Sequence, residues 1–339
     1  MKNPLLILAL VSVLHCNAQI PDGYYDSAED LTGEELREEL HEIIDGHNQQ
    51  SYGSLWNHFE FTDKKTNDKV WDMYSTQDDG SADYEYTFGS DQCGNYGSEG
   101  DCYNREHSVP ASWYNDGYPM YSDLFHLYPT DGWTNGIRSA YPFGEVQNPS
   151  VTTSNGSKRG ANTYPGYTGI VFEPIDEFKG DFARTYFYIV TRYLDVMSGW
   201  NSSAFEDDNL SEWQRNMLLE WHWNDPVSLK ETSRNNTVYL IQENRNPYID
   251  HPEWVDLIWE STSSVGEFGV RSLELEVRDS QLEVKGNWET VKLYSAEGRL
   301  INSWTFEQNE ELKIPSNQTV IVVVRNEKAI LTERFYLVD

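Results

Sequence analysis

Between Asp101 and Val146 the chain carries its densest set of side chains able to do chemistry. Asn104, Arg105, Glu106 and His107 are consecutive, Asp123 and His126 follow, then Asn135 and Arg138, then Phe143-Gly144-Glu145. Asn135 and Arg138 stand three apart and share a face if their segment is helical. The combination suits hydrolysis of a phosphodiester. A hard divalent cation takes oxygen ligands such as Glu106 and Asn135 and polarises a phosphoryl oxygen. A neutral imidazole at His107 accepts a proton from water near pH 7. Arginines meet a phosphate in bidentate geometry. A Glu-His pair is also a common solvated turn, so spacing alone leaves catalysis and structure both open.

The elements that must hold these groups can be sketched from the same stretch. It reads as extended chain over Glu106–Val109, a loop through Pro110, Gly117 and Pro119, a helical turn over Ser122–Leu127 broken at Thr130-Asp131-Gly132, and a helix near Asn135. Upstream, Asp26 to Gln50 has helical spacing, with a capping box at Thr32 and Glu35, an apolar face of Leu36, Leu40, Ile43 and Ile44, and Gly46 as a stop. Val70 to Tyr74 reads as a short strand. Ser75 to Asp101 is a polar loop whose Asp78, Asp79, Asp83 and Asp91 lack calcium-loop spacing. Downstream, residues 147 to 180 read as a flexible loop with a basic tip at Lys158 and Arg159, able to touch a phosphate backbone or simply solvated. Asp181 to Met197 reads as a helix burying Ala183, Phe187, Val190, Leu194 and Met197, with Arg184 and Arg192 on other faces. A helix capped by Ser211 runs through Trp221, and Pro226 starts another towards Glu243.

The words themselves narrow the chemistry. N-R-E-H-S-V-P-x-S-W, then S-D-L-x-H-L-x-P-T-D-G-x-x-N-x-x-R-S, then Y-P-F-G-E-V closely resemble the bacterial endonuclease I family, secreted or periplasmic nucleases with a ββα-metal (His-Me finger) site. The likeness extends through NDPVSLKETSRNNTVYLIQENRNPYIDHPEW at 224–254 and covers about residues 28–260. It implies His107 as general base and Glu106 and Asn135 as ligands of one Mg²⁺ (or Ca²⁺ or Mn²⁺) per site. Arg105, Asp123, His126 and Arg138 also match the family pattern. Arg105, Arg138 and His126 are expected in the catalytic group, with His126 either orienting the site or serving as a core histidine. Arg234, Asn235, Asn246, Asp250 and His251 match as well. Arg245, Asn104 and Asp123 are candidate substrate contacts, although for Arg245 holding the fold together is the stronger reading.

Composition sets limits on this. The formal net charge is −31 and the pI near 4.4, so a broad basic footprint for nucleic acid is excluded, and binding must use a local groove, a metal or salt screening. Aromatic residues make up 14%, enough to keep an extracellular carbohydrate-binding or adhesive protein with an inert Glu-His pair as the rival. Zinc chemistry at His107 and His126 lacks an H-E-x-x-H helix. Lys2, the apolar run Leu5 to Leu14 and Cys16-Asn17-Ala18 read as a secretory signal peptide over 1–18. A lipidation role for Cys16 is the alternative. In an exported protein Cys93 and Cys102 are expected to form a disulfide, with a metal site as the less complete option.

After about Ser264 the texture changes. Leu273, Leu275 and Val277, Leu282 and Val284, Val291 and Leu293, and Leu312 and Ile314 alternate with polar residues, and a run from Val320 to Val324 precedes Phe335-Tyr336-Leu337-Val338. Period two with short turns predicts an all-β module. KLYSAEGRLINSW with a late strand pair resembles the C-terminal sorting domains of type IX secretion, which implies that machinery as a partner. A small binding sandwich is the alternative. The expectation is therefore an α+β protein: a mainly helical nuclease domain over 19–263 around a ββα-metal motif, then a β-rich module over 264–339. It should be a secreted monomer without a transmembrane segment, cutting DNA, possibly RNA, through the phosphate backbone and with little sequence preference.

Overall fold

The computed structural model describes residues 20–77 and 80–259, followed by seven strands between 274 and 337. The signal-peptide reading, Cys16, Asp78, Asp79, Leu273 and the 263/264 boundary lie outside the described residues. Helices α1 (Gly33–Ile44) and α2 (Leu55–Thr62) come first. Strand β1 (Tyr103–His107), strand β2 (Leu127–Asp131) and helix α3 (Gly132–Arg138) follow. Then come β3 (Pro149–Thr152), β4 (Lys158–Ala161), β5 (Ile170–Glu173) and α4 (Lys179–Arg192). A short β6 (Phe205–Glu206) and β7 (Asn209–Leu210) lead to α5 (Glu212–Asn224), α6 (Leu229–Gln242), α7 (Pro247–Asp250) and α8 (Trp254–Trp259). The whole is a mixture of helices and small antiparallel sheets.

Helix α1 shows how far local patterning reaches. Leu36, Leu40 and Ile44 are buried as their spacing requires, and Gly46, with φ +67°, leaves the helical path just beyond the C-terminus. The capping box does not form: Thr32 is the N-cap, but its side chain makes no cap hydrogen bond. Glu34, not Glu35, is used, pairing with Arg37 at 2.9 Å, while Arg37 also donates to the carbonyls of Val190 and Asp208.

Helix α4 is the centre of the core. All its residues are buried, so it has no solvated face of the kind an amphipathic stripe predicts, and it ends at Arg192 rather than Met197. Its arginines are consumed internally. Arg184 pairs with Glu231, and Arg192 with Asp45 and His47. Glu231 in turn closes a capping box with Ser228 at the start of α6, so Ser228 rather than Pro226 sets that helix.

Two further expectations are corrected. Val70 to Tyr74 is not a strand; the chain makes a single bridge at Val70 and then turns, with Asp72 accepting from the Tyr74 N–H. Residues 147–180 are not a loose loop but contain the antiparallel sheet β3-β4-β5, with Lys158 facing Glu173 in the register. Nor do Lys158 and Arg159 form a free basic tip. Lys158 pairs with Glu173, and Arg159 donates to the Ile137 carbonyl at the end of α3.

Beyond residue 273 the described chain is strands alone. They are β8 (Glu274–Arg278), β9 (Gln281–Lys285), β10 (Thr290–Ser295), β11 (Leu300–Thr305), β12 (Glu311–Lys313), β13 (Gln318–Arg325) and β14 (Ile330–Leu337). They pair antiparallel in the orders β11-β10-β13-β14 and β12-β9-β8. The apolar run at Val320 lies in β13, opposite Phe335 of β14. Val291 and Leu293, on one face of β10, are buried.

Candidate active site

Strands β1 and β2 pair antiparallel with Glu106 opposite Tyr128 and His107 opposite Leu127. Helix α3 leaves β2 without a linker because Asp131 ends the strand and caps the helix, its Oδ1 accepting from the Thr134 N–H at 2.6 Å. Asp131 is itself held at both ends. Tyr86 and the Gly100 N–H donate to its Oδ2, and its own N–H donates to the buried Asp72. Burial pushes the Asp72 carboxyl up to about 7, against the pull of the Tyr74 N–H and with the charge of Asp131 adding to the rise.

The disulfide Cys93–Cys102 closes the loop just before β1, as an exported cysteine pair predicts. That loop carries Tyr96, which lies flat on α3. A Cβ added at Gly132 would come within 2.8 Å of the Tyr96 ring, and one at Gly136 within 2.5 Å of its hydroxyl. A side chain at either position would push aside the Tyr96 ring, which is itself partly exposed, so the two glycines let the loop approach the helix closely. The loop braces the helix that carries Asn135.

Within this frame Glu106 is 2 % exposed. Tyr74 donates to its Oε1 at 2.9 Å and Arg138 meets the same oxygen at 3.2 Å, leaving Oε2 outside these contacts. Burial raises the Glu106 carboxyl to about 7, opposed by Arg138 and Tyr74. Asn135 donates through Nδ2 to Asn104 Oδ1 at 2.8 Å, which turns its own carbonyl oxygen away from Asn104. His107 lies 3.2 Å through Nε2 from the Tyr121 carbonyl. A carbonyl only accepts, so Nε2 carries the proton and Nδ1 keeps the lone pair. Burial drives the His107 imidazole down to about 3, with His126 adding to the effect and the Tyr121 carbonyl opposing it. The ring is thus neutral at physiological pH.

The residues expected at the site divide into two sets. β1 and α3 place Asn104 against Asn135 and Glu106 against Arg138, while Arg105 and His107, the alternate residues of β1, both lie against Tyr52. Arg105 keeps part of its surface in solvent, with its guanidinium 3.5 Å over the Tyr52 ring and donating to the Tyr52 carbonyl. Arg138 is 1 % exposed and spends its donors on Glu106 and on the carbonyls of His107 and Ser108, so it fixes the β1 end rather than facing a phosphate. His126 is fully buried; its Nε2 bonds the Met120 carbonyl at 2.6 Å and its ring lies 5.5 Å from that of His107.

The second set is buried and partnered inside the fold. Asp123 is fully buried and accepts from Tyr188, Tyr193, Gln242 and the Phe125 N–H. Arg245, 1 % exposed, is clamped by both oxygens of Asp250 and by Asn236. Neither has a face to offer a nucleotide, because every polar contact they make is inside the fold. Residues that spacing could not find complete the site: Tyr74, 32 positions before Glu106, and the aromatic rings of Tyr52 and Tyr121 beside His107.

The oxygens left over suit a hard cation. Glu106 Oε2 and Asn135 Oδ1 are one carboxylate and one amide carbonyl, the donor types that Mg²⁺ accepts when water and phosphate fill its remaining positions. Among the described residues no group of three or more His, Cys, Asp or Glu could hold a metal, so a zinc-type cluster has no support here.

The family model described as Endonuclease I matches residues 32–253. The extracellular ribonuclease of Bacillus subtilis (strain 168) is 35% identical over 255 residues, which are 70% of this chain and 78% of that protein. The extracellular ribonuclease of Bacillus amyloliquefaciens is 35% identical over 257 residues, with the same 70% and 78% covered. Endonuclease-1 of Buchnera aphidicola subsp. Acyrthosiphon pisum is 30% identical over 128 residues, 38% of this chain and 44% of that one. The matched span takes in β1, α3 and every helix from α4 to α7, so the likeness covers the site and the core that supports it, and the chain belongs to the endonuclease I family.

Proposed function

We propose that the protein is an extracellular endonuclease that hydrolyses phosphodiester bonds with one divalent cation and a histidine base, β1, β2 and α3 acting as a ββα-metal motif. The observation that carries this is the pairing of a tautomerically fixed His107 with an adjacent Glu106 that has one oxygen to spare. His107 Nδ1 takes a proton from water as the oxygen attacks phosphorus, and the 3′ oxygen leaves. Arg105, the arginine of the site with exposed surface, meets a non-bridging phosphate oxygen. Asn104 holds the Asn135 amide in orientation, and Arg138 does the same for Glu106. A hard divalent cation held by Glu106 and Asn135 supplies neutralisation of charge at the phosphoryl and leaving oxygens. The two Bacillus relatives named extracellular ribonucleases support RNA as a substrate alongside DNA.

Incubating plasmid DNA and a structured RNA with the mature protein, with and without EDTA, tests this directly. Cleavage that EDTA abolishes is expected; cleavage indifferent to EDTA would remove the cation from the mechanism. A carbohydrate-binding reading would have to rest on tyrosines such as Tyr118 and Tyr96, since among the described residues no tryptophan is exposed.

Two further expectations follow from charge and from the chain's second half. At net charge −31, long-range repulsion slows encounter with nucleic acid at low ionic strength, while local phosphate contacts weaken at high salt. Cleavage rate should pass through a maximum at intermediate salt, and a steady decline from the lowest concentration would point to a dominant basic groove. Residues 19–263 are proposed as the nuclease domain and 264–339 as a β-rich sorting module for type IX secretion, on the strength of the unbroken run of strands from β8 to β14. No helix among the described residues is long and apolar enough to cross a membrane. A chain ending after Trp259 is expected to fold and cleave at near full rate; a folded but inactive truncation would overturn that boundary.

A further inference from the structure

Two tyrosines stack beside the proposed base, and a third, Tyr118, continues them outward. Tyr52 and Tyr121 lie with ring centroids 5.7 Å and 5.0 Å from His107, their planes within 19° and 25° of its own. They are 4.4 Å from each other, and Tyr118 meets Tyr121 edge-on at 5.5 Å. Going outward, Tyr52 and Tyr121 are half-buried and Tyr118 is 51 % exposed, so the cluster opens to solvent at Tyr118. At its other end the Arg105 guanidinium sits over Tyr52. An aromatic surface therefore runs past the base from a cation that can hold phosphate to a ring that faces water.

Charge makes such a surface useful. With 56 acidic and 25 basic residues the chain cannot draw nucleic acid through many phosphate contacts, and Arg138 is withdrawn from solvent into the Glu106 pair. Affinity per nucleotide has to come from something that does not depend on positive charge. Stacking of a base on an aromatic ring meets that need, is tolerant of sequence, and requires the base to be unpaired.

We propose that Tyr118, backed by Tyr121, is a stacking subsite for an unpaired nucleobase next to the scissile phosphate, and that it gives the enzyme a preference for single-stranded nucleic acid. The subsite rests on the nuclease reading, since it places the base by reference to His107 and Arg105. Its contribution is to binding and positioning, and Tyr118 touches no reacting atom.

The test measures kcat and KM for a single-stranded oligonucleotide and for a hairpin duplex of the same sequence. The full-length protein, Tyr118→Ala and Tyr118→Phe are compared. The ratio of kcat/KM on single strand to that on duplex should fall roughly 5- to 150-fold in Tyr118→Ala, mostly through KM, the range typical for loss of one stacked base. Tyr118→Phe, which keeps the ring and loses the hydroxyl, should restore the ratio. An unchanged ratio in Tyr118→Ala overturns the subsite, as does a Tyr118→Phe protein no better than Tyr118→Ala. If the unsubstituted protein cleaves neither substrate, the nuclease reading fails and takes the subsite with it.

Discussion

His107→Ala is expected to bind Mg²⁺ and nucleic acid nearly as the unsubstituted protein does while cleavage falls roughly 10²–10⁴-fold, the usual worth of a general base. The reason lies in what the imidazole touches. It meets a carbonyl through Nε2 and the rings of Tyr52 and Tyr121, and none of those contacts holds Glu106 or Asn135. Removing the ring deletes a proton acceptor and leaves the oxygen donors in place.

The neighbouring position should respond differently. Alanine at Glu106 would strand the buried Arg138, a change that typically costs about 3–5 kcal/mol in stability, so Glu106→Gln is the cleaner probe. It keeps the shape and an oxygen for Tyr74 and Arg138 but removes the site's anionic ligand. Metal affinity itself should then drop, and raising Mg²⁺ should partly rescue Glu106→Gln but not His107→Ala. Asn135→Ala should resemble Glu106→Gln more weakly, because a neutral amide holds a cation less firmly than a carboxylate. The measurement is a Mg²⁺ titration of cleavage rate for all three variants beside calorimetric metal binding. If His107→Ala is the one that loses metal, the assignments of base and ligand must be exchanged.

The site was legible because its reactive groups are consecutive on one strand. Glu106 and His107 are neighbours in sequence, although successive strand residues face opposite ways, so Glu106 meets Tyr74 and Arg138 while His107 meets Tyr52 and Tyr121; Asn135 sits in the helix that its own Asp131 cap begins. What supports them was not legible. Tyr74 reaches Glu106 across 32 positions, and Asp72 reaches the Asp131 N–H across 59. Arg245 and Asp123 show how little a charge alone reveals of its partner. Their charge and their place in family words read as substrate contacts, yet a charge alone does not say whether its partner is a phosphate or a buried Asp250. Helix periodicity found α1 and α4, but Thr32 and Ser228 look alike as caps, and only the second closes a box. Its partner Glu231 is also the anion that the buried Arg184 needs, a long-range demand that no local pattern carries.

Asp123→Ala should be among the most destabilising single changes outside the site, at about 3–5 kcal/mol. The carboxylate serves four donors in a fully buried place, and its loss leaves the Tyr188 and Tyr193 hydroxyls without their acceptor and the Gln242 amide with only the longer bond to Asn244. Asp123→Asn should cost less, since its remaining carbonyl oxygen can still serve the Phe125 N–H. The same carboxylate gives the fold an acid limit. Burial alone would raise it, but His47 and His126, Gln242 and the Phe125 N–H outweigh burial and hold it at about 2. A carboxyl depressed in the folded state stabilises above its unfolded value near 4 and loses that stabilisation as the pH falls towards 2. The loss from this group is about 2 kcal/mol. Tyr188, Tyr193 and Arg192 also face the cluster and keep their charge in that window, whereas His47 and His126, lowered by burial, take up protons on the acid side and add to the loss. Denaturant unfolding followed by circular dichroism at pH 7, 5 and 3 checks both points. The unsubstituted protein should lose stability between pH 5 and 3 by more than Asp123→Asn does, and equal losses would show that Asp123 is not the group that titrates.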